Sequence, residues 1–67
     1  MTISEIKEKL PDVKIKVNGI IKTGRICGRK LDFPSVIVQD SQGDYRAFEY
    51  AWSTIQHAIN DDSFLTI

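Results

Sequence analysis

The sequence predicts a mainly β, α+β domain: a small five-stranded antiparallel sheet, strongly curved, with an N-terminal helix and a short helix before the last strand. Three observations carry this expectation. Residues 13–17 alternate strictly between apolar and basic side chains, Asn18-Gly19 follows as a hairpin turn, and apolar runs at 35–39 and 45–50 are separated by permissive turn residues. At 67 residues the chain has room for one core, so it reads as one domain, residues 1–67, with a helical segment 1–11 and a β body 13–67.

Taken in order, the chain starts with a capping box. Thr2 sits three residues before Glu5, and Met1 and Ile6 have the spacing of a hydrophobic staple. Ile3, Ile6 and Leu10 form one apolar stripe at helical period, and Pro11 ends the helix. Val13 to Val17 is then a strand with Lys14 and Lys16 on one face. Asn18-Gly19 suits the positive φ angles of a type I′ turn. A two-residue turn places Val17 opposite Ile20 and Ile15 opposite Lys22. A bulged turn would set Lys14 against Lys22, and like charges directly opposite are unfavourable, so the shorter turn is expected.

The second strand runs from about Ile20 to Cys27, with Gly24 as a bend or bulge that turns Ile26 and Cys27 towards another part of the core. Residues 28–34 form a loop. Ser35 to Gln39 is a third strand, 40–44 a turn, and Tyr45 to Tyr50 a fourth strand with Phe48 and Tyr50 inward. Ser53 and Gln56 have capping-box spacing, and Trp52, Ile55 and Ile59 share one side of a second helix. Residues 64–67 supply the last strand. This order of bent strands, with a helical turn before the final one, resembles the small SH3-like barrels over roughly residues 13–67. The likeness implies architecture and no function. A helix-covered open sheet satisfies the same patterning.

Composition narrows the function. There is no long apolar run to span a membrane and no apolar leader, so the expected location is cytoplasmic. Cys27 and His57 each occur once, too few for a thiolate metal site or an internal disulfide, and no metal or cofactor is expected. No phosphate loop, dinucleotide fingerprint or nucleophile elbow occurs. Cys27 reads as a small core hydrophobe and not as a nucleophile paired with His57. Asp61-Asp62 reads as a solvated loop, and His57 carries no assigned role. The expectation is a non-catalytic module with no evident small-molecule substrate.

Two binding readings remain. Residues 1–30 hold eight basic and three acidic residues, a balance of +5; residues 31–67 hold one basic and six acidic, a balance of −5. Such asymmetry suits a polyanion or a self-complementary partner. Lys14, Lys16, Lys22, Arg25, Arg29 and Lys30, with Phe33 and Tyr45 as stacking surfaces, make a candidate nucleic-acid face across the hairpin and loop of residues 14–30. Zero net charge weighs against that reading. Phe33, Tyr45, Tyr50 and Trp52 exceed what so small a core encloses, which favours association with a protein partner or with a second copy, although Trp52 itself is expected to pack over the end of the sheet and anchor the second helix. An exposed edge strand able to accept a partner's strand points the same way.

Overall fold

A computed structural model describes all 67 residues and is organised around one long strand. The elements are α1 (Ile3–Lys9), β1 (Val13–Val17), β2 (Ile20–Cys27), β3 (Ser35–Gln39), β4 (Tyr45–Glu49), α2 (Trp52–Asn60) and β5 (Leu65–Thr66). They form one five-stranded sheet in the order β4-β3-β2-β1-β5. The protein is mainly β: a mixed sheet curled into a half-barrel, with two helices against its concave face.

β2 belongs to both halves of this sheet, and Gly24 marks the change. Gly24 is opposite Val13 at the end of the β1 pairing, and the next residue, Arg25, is opposite Ile37 in β3. The expected bend at Gly24 has a specific cause. Its φ is not positive, so the need is for space and not for left-handed geometry. A Cβ there would drive into Val36 Cγ1, a side chain with no exposed surface, and would approach Val13 O at 3.2 Å. Glycine lets β3 close over β1 across β2.

The hairpin has the expected two-residue turn. Val17 is opposite Ile20 and Ile15 opposite Lys22, with φ of 51° at Asn18 and 79° at Gly19. Alternation then decides burial. Val13, Ile15 and Val17 face the core, while Lys14 and Lys16 face out. On β2, Ile26 is buried and Cys27 is exposed. Cys27 was expected in the core; the period of two, unbroken by any bulge after Gly24, puts it on the convex face instead.

Both helices cover the concave side. Thr2 caps α1 reciprocally: its hydroxyl accepts from the Glu5 N–H at 3.2 Å, and its N–H donates back to Glu5 Oε1 at 3.1 Å. The Thr2 backbone N–H, and next the Thr2 hydroxyl donating to the same Oε1 at 3.1 Å, hold the Glu5 carboxyl below its usual pKa. The helix ends where Leu10 turns left-handed, with φ 46°, because Pro11 excludes helical geometry at the residue before it. Ile6 delivers α1 to the core, joining Trp52, Ile55 and Ala58 from α2. Every buried side chain is apolar, and no buried side-chain polar atom lacks a partner.

Two expectations fail here for identifiable reasons. The N-cap of α2 is Ala51, with no side-chain cap, so Ser53 lies inside the helix and does not close a box with Gln56. Trp52 outweighs the cap, since burying its ring and bonding its indole N–H to Leu31 O at 2.6 Å fixes the helix start two residues earlier. The sheet, moreover, is not wholly antiparallel. The chain leaves β4, crosses the concave face as α2, and enters beside β1 running parallel to it, with Ile15 opposite Leu65. A helical crossover permits this direction, which a tight hairpin could not.

The curled sheet almost meets itself. Tyr50, just after one edge strand, donates its hydroxyl to Thr66 O of the other edge strand at 2.8 Å. Partial burial pushes the Tyr50 phenol pKa above its usual value of 10.0.

Candidate functional site

The alternation that builds the sheet also separates the basic residues. Lys14, Lys16 and Arg25 point to the convex face, whereas Lys22 lies on the concave side and donates to Gln39 O at 2.9 Å. Arg29 and Lys30 stand in the loop beyond β2, and Phe33 in the same loop is 60% exposed. Lys14 is paired with Asp62 at 3.1 Å, and Lys16 lies over the Phe64 ring, 5.5 Å from its centroid. Both contacts follow from the parallel docking of β5 beside β1, which carries the acidic end of α2 onto the basic strand. The six cations thus form no single uninterrupted face.

Tyr45 is the second exposed aromatic of the set, at 73%, and it sits on the other edge of the sheet. A shallow hollow of about 430 Å³ beside it is lined by Asp12, Thr23, Arg25, Ile37, Gln39 and Tyr45. The hollow mixes one carboxylate and one guanidinium with an aromatic and an aliphatic wall. That lining suits a peptide side chain of mixed character better than a row of phosphates.

The β4 strand itself is the more informative feature. No strand covers its outer side. Its hydrogen-bonding parity can be fixed from the bonds that flank the β3–β4 ladder. Asp40 N–H donates to Asp44 O at 2.8 Å, and Tyr50 N–H donates to Pro34 O at 3.2 Å. Both join even-numbered residues of the register that sets Val36 opposite Phe48. In an antiparallel ladder bonded and unbonded pairs alternate, so Arg46 and Phe48 spend their backbone groups on β3. Tyr45, Ala47 and Glu49 therefore aim their N–H and C=O groups at the open edge.

This edge is only lightly protected: it carries the charges of Arg46 and Glu49 but no proline, lysine or bulge. Open strands are commonly blunted by proline, lysine, a bulge or brevity. β5, at the opposite edge, is only two residues long. β4 has five residues, Tyr-Arg-Ala-Phe-Glu, in continuous register and without proline or lysine. All but Phe48 are exposed, and Arg46 lies over the Phe48 ring at 5.2 Å on the concave side. The turn before it is rigid: Asp40 Oδ1 accepts from the N–H groups of Gln42 and Asp44, both at 2.9 Å. The strand keeps continuous register with β3, and no strand of the sheet covers its outer side.

Chemistry-bearing residues are dispersed by comparison. Cys27 is on the convex face of β2 and His57 is on α2, which packs on the concave face, so the sheet stands between them. His57 Nδ1 lies 3.9 Å from Asp61 Oδ2, both well exposed. No three His, Cys, Asp or Glu side chains converge as a metal site. No helix is long and apolar enough to cross a membrane.

Sequence reasoning named Tyr45 as a candidate but treated it as a stacking surface; Ala47 and Glu49 it did not select. The signal for them was present only as an absence of proline and lysine across 45–50. Comparison of the chain with protein-family models, curated proteins and solved structures found no match.

Proposed function

We propose that this protein is a non-catalytic association module that accepts a strand from a macromolecular partner at the open edge of β4. One observation carries the reading: β4 is a five-residue edge strand without proline, lysine or bulge, whose Tyr45, Ala47 and Glu49 backbone groups face outward without partners in the chain. Main-chain bonds would supply affinity, and the hollow at Arg25, Ile37 and Tyr45 would take alternate side chains of the incoming strand. The reading for nucleic acid has less to stand on, because Lys22 faces the other way and Lys14 is already paired. A titration of labelled oligonucleotides at low salt is accordingly expected to be flat. The SH3-like likeness remains a proposal about architecture, supported by the bend at Gly24 and by Tyr50 spanning the open side. Strand addition needs only the open edge.

The test is site-specific photocrosslinking in cells. A photoreactive phenylalanine analogue replaces Tyr45 in one sample and Thr54, exposed on α2, in another. The proposal expects adducts from position 45, absent from position 54 and lost when Ala47→Pro is added. Equal adducts from both positions, or none from position 45, would refute it.

A further inference from the structure

Resting on the strand-addition reading, we infer that the occupant of the β4 edge is the β4 edge of a second copy, paired antiparallel about a two-fold axis through Ala47. An isologous pairing must join residues whose backbone groups are free, which confines it to Tyr45, Ala47 and Glu49. Five registers satisfy that condition; those centred on Tyr45 or on Glu49 join a single residue pair, and three join more than one. Centring the axis on Arg46 sets Arg46 directly against its own copy, a like-charge pair at the closest approach of the two strands. Centring it on Phe48 leaves Tyr45 without a partner. Centring it on Ala47 uses all three residues: Ala47 meets Ala47, and Tyr45 meets Glu49 on either side, closing up to about six hydrogen bonds.

Side chains agree with the same register. On the concave face Arg46 comes opposite the partner's Phe48, extending between copies the cation–π contact that it already makes within one. On the convex face the small Ala47 lies on the axis, where two bulky side chains would collide. Nowhere are like charges directly opposed. The whole chain has no formal net charge, so two copies meet without long-range repulsion. The Tyr45–Glu49 strand is thus complementary to itself in hydrogen bonding, charge and shape.

The native cysteine makes this testable without altering the chain. Cys27 is exposed on the convex face and shares a cross-sheet row with Ser35 and Glu49. In the Ala47-centred pair the two Cys27 positions are separated by five strand spacings across the joined sheet and four residues along it. With strands about 4.8 Å apart and about 3.3 Å per residue, the separation is about 27 Å. Nitroxide-labelled protein, measured by pulsed electron dipolar spectroscopy up to about millimolar concentration because one strand pair makes a small interface, should show a distance near that value.

The signal should grow with concentration and be lost in Ala47→Pro. That variant removes an outward N–H that β3 does not use, so the fold is retained. Should Ala47→Pro fail to fold, Tyr45→Glu serves in its place: it opposes Glu49 twice and should weaken the dimer about tenfold, whereas Tyr45→Lys should not weaken it. Absence of dipolar modulation, a distance far from 27 Å, or a signal indifferent to these variants overturns self-pairing. Adducts in the Tyr45 photocrosslinking then separate the cases. Adducts only with other proteins leave strand addition standing without self-pairing; no adducts remove both.

Discussion

Gly24→Ala tests the packing logic of the fold most directly. The added methyl would overlap Val36 Cγ1, well inside van der Waals contact, and lie 3.2 Å from Val13 O, in a strand that is paired on both sides. Neither neighbour moves freely: Val36 is fully buried and Val13 O belongs to the β1 backbone. Overpacking of this kind costs about 1–3 kcal/mol. Opposing it is the loss of unfolded-state freedom when glycine is replaced, about 0.4–1 kcal/mol at a compatible φ. The net expectation is a loss of about 1–2 kcal/mol, which for a domain of this size lowers Tm by about 5–15 °C. Val36→Ala alone removes buried methyl groups and costs about 2 kcal/mol by burial and cavity terms together. In the double variant the alanine at 24 occupies space vacated by Val36. The combined loss should therefore fall short of the sum by about 1 kcal/mol or more. Urea unfolding of the four proteins, with m held fixed, measures the coupling. Additive losses, or a silent Gly24→Ala, would refute the claim that this glycine exists for the close approach of Val36.

Two further outcomes follow from single contacts. Tyr50→Phe removes the bond to Thr66 O that ties the two edges, and should destabilise by about 0.5–1.5 kcal/mol at neutral pH. Because burial raises the folded-state pKa of this phenol, its contribution is complete below the ordinary tyrosine pKa and is lost as pH rises through the folded value; thermal melts above pH about 10 should therefore fall less steeply for Tyr50→Phe than for the native protein. Trp52→Phe cuts the indole bond to Leu31 O and weakens the Lys7 contact with the ring, 5.4 Å from its centroid in the native protein. Loop 28–34 loses its anchor, and trypsin should cleave after Arg29 and Lys30 faster than in the native protein under conditions where both remain folded.

Local rules made much of the fold legible. The capping box at Thr2, the stop before Pro11 and the Asn18-Gly19 register are each determined by a few adjacent residues, and all appear as expected. What escaped depends on contacts distant in sequence. Whether β5 runs with or against β1 is decided by the path of α2, and a two-residue strand carries no pattern that reveals its partner. The α2 start is not legible locally, because a polar residue near a helix start signals a cap only when the chain enters there, and the Trp52 indole bond to a loop far upstream moves the entry. An inward Cys27 requires Gly24 to reset the alternation, and the strand instead passes through Gly24 without a bulge.

Charge shows most clearly why halves of a sequence are poor guides to faces of a protein. The +5 of residues 1–30 and the −5 of residues 31–67 would suggest two opposed poles. Sheet order undoes them. β1 lies between β2 and β5, so the acidic end of α2 arrives beside Lys14, and Asp12 faces the same hollow as Arg25. Lys22 is carried to the opposite face from Lys16 by the same period of two that buries Ile15. The resulting surface is mixed in sign at short range, where a Debye length of about 8 Å leaves little net field to draw in a polyanion. Such a surface does not steer; it permits close approach. On the proposed reading, specificity therefore rests on short-range geometry at the β4 edge, where Tyr45, Ala47 and Glu49 present their backbone donors and acceptors outward.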